Sequence, residues 1–226
     1  MYRIETHLHT KYASHCGRMD EKELISAYKA AGFQGIIVTD HFNRETFAMY
    51  REKGISFSDP VVQFLEGYRR MAQEGARQGI RVYKGAELRF DECMNDYLLY
   101  GFPDALLADP DAVFSMGVAA FSPLCRASGA LLIQAHPYRH HCTPAIACYL
   151  DGVEIRNGNP RHNSHNGRAE AYAREFGLIA TAGSDCHQPE DVARTGILMP
   201  RLPQDEAALV RMLRQGDFRR MGIRRD

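Results

Sequence analysis

Short apolar runs alternate with longer stretches of helical spacing along the whole chain. Residues 2–7, 35–40, 81–87, 96–102, 130–136, 152–156 and 178–185 read as strands; GIIVTD at 35–40 and ALLIQAH at 130–136 are compact apolar runs that end in polar side chains. A shorter strand is expected at 196–199. Between them the spacing predicts helices at 20–31, 59–79, 109–129, 166–176 and 204–215. Asp20 and Asp59 are placed to cap two of these, because a short carboxylate side chain accepts hydrogen bonds from the free N–H groups of a helix start. Pro60 takes the first helical position, where a missing N–H is harmless, and Gly177 can end the helix before it. The 109–129 helix is expected to divide near Ser122-Pro123.

Strands that alternate with helices imply a parallel sheet. About seven β/α units in 226 residues fit one domain spanning 1–226, a small closed or nearly closed barrel of the distorted (β/α)7, TIM-like kind; an open doubly wound sheet is the alternative. A barrel gathers the C-terminal ends of its strands at one mouth, where the βα loops build the active site.

The chain's potential metal ligands fall at such ends. His7 and His9 finish the first strand, and the strand period of two points both to one side. His41 follows the second strand after Asp40, Glu87 ends the third, His136 the fifth, and Asp185 with His187 the seventh. Each alone has a plainer reading: His41 as a cap, Glu87 as a strand-end carboxylate, Asp185 as a turn residue. Their recurrence at successive strand ends is what makes a site. Cys186, between two candidate ligands, is expected to project away from them as buried filler.

Composition narrows the function classes. Lys and Arg total 28, Asp and Glu total 28, so the formal charge is zero and a nucleic-acid polymer is not the expected partner. The six cysteines show no C-x-x-C pairing, which suggests reduced thiols and a cytoplasmic setting. The opening residues lack the apolar core of a signal peptide, and no run nears the ~20 apolar residues of a membrane span, so no membrane partner is expected. The oligomeric state is not legible.

The motifs THLHT at 6–10, His15 beyond them, TDH at 39–41, GAE at 85–87, AHP at 135–137 and GSDCH at 183–187 stand in the order of the polymerase-and-histidinol-phosphatase (PHP) family, which the chain resembles over nearly its whole length. The resemblance implies a metal-dependent phosphoesterase holding two or three divalent ions, zinc, manganese or iron. His7, His9, Glu87 and Asp185 would bind one ion. Glu87 would bridge to a second that also takes His136, and His15, His41 and His187 would form a third site. Glu87, Asp185 and His187 are the residues on which catalysis would turn, through a metal-activated water attacking a phosphate ester. Asp40 is expected to orient a ligating ring by accepting its free N–H. The family's further His at the end of the fourth strand is missing from DYLLYGFPD (96–104), which offers only Asp104 as a nearby donor.

Arg139, Asn157 and Arg161 lie just beyond later strand ends and are the candidate substrate contacts, because guanidinium groups match phosphate oxygens; a surface salt bridge is the other reading for the arginines. His140, His141, His162 and His165 are expected as surface or hydrogen-bonded residues rather than ligands, and Arg219, Arg220, Arg224 and Arg225 as a solvated tail or local phosphate-side charge rather than a nucleic-acid arm. The expected substrate is a small phosphorylated metabolite or nucleotide. The alternatives are an amidohydrolase-like metallohydrolase, which also opens on H-x-H, and a non-catalytic metal-binding or regulatory module of the same family.

Overall fold

The structure, a computed structural model, describes residues 1–54 and 60–222. The chain begins β1 (Tyr2–Glu5), α1 (Glu21–Ala30), β2 (Gly35–Val38) and β3 (His41–Phe42). Asp20 caps α1 as expected and trades hydrogen bonds with Glu23 in a capping box. A helix that the sequence pattern does not signal, α2 (Arg44–Glu52), starts on the Asn43 side chain, which accepts from the Thr46 N–H. The 59–79 segment is two helices, α3 (Pro60–Phe64) and α4 (Glu66–Gln78), and Asp59 lies outside the described residues. Next come β4 (Arg81–Arg89), β5 (Asp96–Tyr100), α5 (Pro110–Ser128) and β6 (Leu131–Gln134). α5 breaks at Gly117, not at Ser122-Pro123: Gly117 has φ 76°, and the Glu92 carboxylate accepts the Val118 N–H beyond the break. The chain ends with β7 (Gly152–Asn157), α6 (Asn166–Phe176), β8 (Ile179–Gly183), β9 (Ile197–Met199), α7 (Glu206–Gln215) and β10 (Arg219–Arg220). Arg219 and Arg220 are thus an exposed edge strand, while Arg224 and Arg225 lie outside the described residues.

The sheet runs β10-β9-β1-β2-β4-β5-β6-β7-β8, with β3 alongside β4, and curls into a nearly closed barrel. Its two flanks meet where β1 and β8 run on toward the mouth. Leu8 and Cys186 form a parallel bridge, the His9 N–H donates to the Cys186 carbonyl at 2.9 Å, and the Thr6 hydroxyl donates to the Ala182 carbonyl at 2.8 Å. The expected barrel is present, but its sheet is not all parallel. β5 runs antiparallel to both β4 and β6, and β9 is antiparallel to β1. The link from Arg89 to Asp96 is too short for a parallel crossover, which needs about a dozen residues or more.

Alternation along the strands sorts two apolar sets. Ile4, Ile37, Tyr83, Leu98, Tyr100, Leu131 and Ile133 share a cluster with Leu209 and Leu213 of α7, so apolar packing plugs the end of the barrel away from the mouth. Leu88, Leu99, Leu132 and Val153 face outward onto Phe64 of α3, Phe114 and Phe121 of α5 and Ala169 of α6. A third cluster packs Leu24 and Ile25 of α1 and Met71 of α4 on Ile36 and Val38.

The seam between β1 and β8 allows no extra atom. A Cβ on Gly183 would stand 2.5 Å from the His7 Cβ and 2.8 Å from Glu154 Oε1. Gly183→Ala is therefore expected to lower stability by about 1–3 kcal/mol, the usual cost of overpacking, visible as a lower thermal midpoint. An unchanged midpoint would show that the two strands do not abut this closely.

Candidate metal centre

His7 and His9 reach the mouth together because they alternate with Leu8, which turns into the α1 side of the core. Glu87 stands between their rings and two others, His41 from β3 and His136 from the end of β6. Its Oε1 lies 3.2 Å from both His7 Nε2 and His136 Nε2. Its Oε2 lies 3.3 Å from His9 Nε2 and 2.8 Å from His41 Nδ1. One carboxylate thus faces two pairs of imidazoles, one pair per oxygen. Asp185 Oδ1 completes the inner set at 3.4 Å from His7 Nε2 and 3.5 Å from His9 Nε2. His7, His9, Glu87 and Asp185 are all essentially inaccessible to solvent.

This donor set fits a divalent ion. With bonds of about 2.0–2.2 Å, donors at the corners of a tetrahedron stand roughly 3.3–3.6 Å apart, close to the spacings around His7 and His9. Buried polar atoms are normally hydrogen-bonded, yet His7 Nε2 and His9 Nε2 are buried with no hydrogen-bond partner. The tautomers agree. His7 Nδ1 lies 3.0 Å from Glu154 Oε1, an acceptor, so the neutral ring keeps its proton there and, once the second proton is displaced, the Nε2 lone pair faces Glu87 and Asp185. His9 reaches the same state through Ser14. The Ser14 hydroxyl donates to Asp40 at 2.8 Å and accepts the His41 N–H, which leaves it to accept from His9 Nδ1 at 3.3 Å. His187 Nδ1 lies 2.8 Å from the Asp185 carbonyl and must donate, which frees its Nε2.

Asp40 accordingly does not touch a ring. Its oxygens accept from the Thr10 N–H, the Thr10 hydroxyl and the Ser14 hydroxyl, and it acts on His9 only through Ser14. Burial outweighs these donors and raises its carboxyl to about 6. Direct orientation of a ring falls to Glu154, which the sequence marks only as one residue of the 152–156 strand. Asn157 is drawn into the same support: its amide donates to Glu154 at 2.8 Å and to Asp185 at 3.2 Å. Arg139 donates to Asp185 at 2.6 Å and to Asn157 at 2.9 Å, so it braces a donor while lining the cleft. Arg161 pairs with Asp191, whose other oxygen accepts the His187 N–H at 2.9 Å. His136 and Asp185 themselves sit at φ 27° and 53°, a left-handed region that costs a non-glycine residue about 1–3 kcal/mol and is kept where the surroundings impose it.

Charge inside the cluster is finely opposed. Burial disfavours the charged form of every group, yet Asp185, Glu154 and Glu87 hold His7 well above the ordinary imidazole value. Burial, with His187 and His41 beside it, drives His9 well below that value. Burial and Arg139 push His136 down, but Cys142 and Glu87 outweigh them and bring it to about 9. Against burial, His7 and Arg139 hold the Asp185 carboxyl low.

The donors at the mouth differ from the expected set. His15 is exposed and joins none of the close donor groups among the described residues, whereas its neighbour Cys16 joins His9, His41 and His187. Asp104 lies at the far end of β5 and is ion-paired with Lys84, so it is not at the mouth. Because β5 is reversed, its first residue, Asp96, occupies the mouth instead. Asp96 forms a donor group with His41 and Glu87, lies 3.9 Å from His136 Nε2 and is held by Arg89 at 2.8 Å. The signal was available in the short 88–95 interval between two expected strands, which forces a reversal. Cys186 is buried in the α1-side cluster as expected, all six cysteines are free, and His140, His141, His162 and His165 are exposed.

The mouth opens as a cleft of about 370 Å³ floored by Glu87, Asp96, His136 and Asp185. A neighbouring hollow, lined by Arg18 and Arg161, shares His15, Cys16, His162 and His187 with it.

Residues 163–218 match the family model described as PHP-associated. No curated protein matches the chain. Solved structures share its architecture. PsfC from Pseudomonas syringae PB-5123 aligns with a TM-score of 0.66 at 19% identity, over 93% of this chain and 88% of its own. A two-domain protein from Bacteroides vulgatus ATCC 8482, described as containing a predicted PHP-like metal-dependent phosphoesterase, gives 0.70 at 14% identity, over 98% of this chain and 65% of its own. An amidohydrolase from Chromobacterium violaceum, solved with bound sulfate and no metal, gives 0.56 at 15% identity, over 96% and 98%. At such identities the likeness is one of fold. Together with the PHP-associated match, it agrees with the resemblance carried by the motifs.

Two outcomes follow from this geometry. Glu154→Gln is expected to leave the fold intact and weaken divalent-ion affinity about 10–100-fold, measured by competition with a chromogenic chelator; unchanged affinity would mean that Glu154 does not set the His7 ring. Since His136 stands near 9, the ion-free protein holds a proton there at pH 7. An ion taking that ring must displace it, so affinity should climb with pH until about 9. Calorimetric titration in buffers of different ionisation enthalpy counts the proton, and none released at pH 7 would remove His136 from the ligand set.

Proposed function

We propose that the protein is a metal-dependent hydrolase of phosphate esters, acting on a small phosphorylated metabolite or nucleotide. The observation that carries this reading is the pair of buried, unpartnered ring nitrogens on His7 and His9, which converge with His41 on Glu87 and Asp185. His7, His9, Glu87 and Asp185 would hold one ion, and His136 with Glu87, and Asp96 nearby, a second. Bound divalent ions lower the pKa of a water and neutralise phosphoryl oxygens. Imidazole with carboxylate suits zinc, iron or manganese.

The protein's own groups have distinct tasks around such ions. Glu87 presents one oxygen to each pair of rings and so fixes their separation. Arg139 keeps Asp185 ionised and aimed while adding positive charge at the cleft wall. Arg18, with Arg161 paired to Asp191 beside it, gives the adjoining hollow positive charge, which suits a phosphorylated substrate. His187 borders both hollows with its Nε2 free, placed to take an ion or, while no ion takes it, to hold a proton near a leaving oxygen.

An amidohydrolase activity is the second reading, favoured by the Chromobacterium violaceum neighbour of that name. Assaying an aryl phosphate, a panel of phosphorylated metabolites and nucleotides, and amide and nucleobase substrates, each with and without added zinc, manganese or iron, separates the two. Metal-dependent turnover confined to amides or nucleobases would replace the phosphoesterase reading, and less than one ion per chain with no turnover would end both. Within the phosphoesterase, Glu87→Ala is expected to lower kcat/KM by at least about a thousandfold. Arg139→Ala, which loosens a brace, should lower it by about ten- to a hundredfold. Equal, mild losses would contradict these tasks.

A further inference from the structure

Most donors at the mouth come from strand ends, but Cys16 belongs to the loop between β1 and α1. Its sulfur and ring nitrogens of His9, His41 and His187 all lie within 4.8 Å of one another. One of those partners makes this more than a cysteine near histidines. His9 is wholly inaccessible, and its Nε2 is buried without a hydrogen-bond partner. His15, one residue earlier, is exposed and joins no such group among the described residues. The loop determines which of the two faces inward. The Arg18 N–H donates to the His187 carbonyl at 2.8 Å, the Ser14 N–H donates to the Thr10 carbonyl at 3.2 Å, and Gly17 lies so close to Thr10 that a Cβ there would stand 2.4 Å from the carbonyl oxygen.

We infer that Cys16 is a thiolate ligand of an outer metal site completed by His41 and His187, with His9 at its inner edge and His15 left outside. This rests on the metal-dependent reading above and goes beyond it in naming a sulfur donor. Binding exchanges the thiol proton, released to solvent, for a sulfur–metal bond. One sulfur with several imidazoles makes the outer site softer than the carboxylate-rich inner set. It favours zinc or ferrous iron there, and disfavours manganese.

The test uses the full chain loaded with zinc and examined by X-ray absorption. The expected result is a sulfur scatterer at about 2.3 Å beside lighter nitrogen and oxygen donors. Cys16→Ser should abolish that scatterer and lower the bound zinc. Cys142→Ser should keep it, because Cys142, whose sulfur lies 3.8 Å from His136 Nδ1, is the other cysteine near a mouth histidine. His15→Asn should keep both the scatterer and the zinc content. Independently of any variant, zinc should protect Cys16 from iodoacetamide, read from the modified peptide by mass spectrometry. Zinc bound through nitrogen and oxygen alone, with Cys16 alkylated at the same rate as in zinc-free protein, would overturn the inference and leave the metal-dependent reading standing. A chain that binds no zinc, iron or manganese would overturn both.

Discussion

The carboxylate of Glu5, buried at the last residue of β1, is the contact on which the site depends. Three backbone N–H groups donate to one of its oxygens, from Thr6 and His7 at 2.9 Å and from Ser184 at 2.8 Å, while the Tyr28 hydroxyl donates to the other at 2.8 Å. Burial raises its pKa against all four donors, so the charge is tolerated only while every donor is in place. One side chain thereby ties the start of the chain to residue 184 and to α1. The His7–His9 pair and Asp185 are far apart in sequence, and this grip makes them neighbours. Gly183 supplies the missing volume at the seam, and the apolar plug around Tyr100 supports it from below, the Tyr100 hydroxyl donating to the Thr6 carbonyl.

On that frame the mouth is prepared in advance of any ligand. Each ring whose proton position can be deduced has it fixed by an acceptor on the side away from Glu87: Glu154 for His7, Ser14 backed by Asp40 for His9, and the Asp185 carbonyl for His187. Rings oriented by buried acceptors need only give up a proton, not turn, to receive an ion. The left-handed backbone at His136 and Asp185 belongs to the same preparation. It is held by the His136 N–H donating to Glu154 and by the Asp185 side chain pinned under Arg139 and Asn157.

How much of this could be read from the chain depends on how local its cause is. The period of two along β1 suffices to bring His7 and His9 to one side, and the recurrence of donors at strand ends suffices to suggest one mouth. Helix caps such as Asp20 are local hydrogen bonds and are legible for that reason. The reversal of β5 depends on a connection length, and strand-end position alone points to Asp104, at the wrong end, rather than to Asp96. Glu5, Glu154 and the Asp40–Ser14–His9 relay depend on contacts between strands, and no periodicity marks a buried carboxylate in advance. The choice of Cys16 over His15 depends on the turn at Gly17, whose packing against Thr10 appears only in three dimensions.

The balance of charge at the mouth bears on which substrate the site would favour. Glu87 and Asp185 are the carboxylates among the rings of His7, His9, His41, His136 and His187, and Asp185 is already countered by Arg139. Asp96 is likewise countered by Arg89, while Glu154 spends its charge on the far side of His7. Two divalent ions held by so few uncompensated carboxylates would leave an excess of positive charge in a buried place, where a mismatch costs more than in water. A neutral amide would leave that excess standing, whereas a phosphate ester would bring the negative charge that removes it. The cationic side chains of the adjoining hollow extend the same preference outward. The chain's overall neutrality therefore hides a local field, made by pairing off carboxylates rather than by accumulating lysine and arginine.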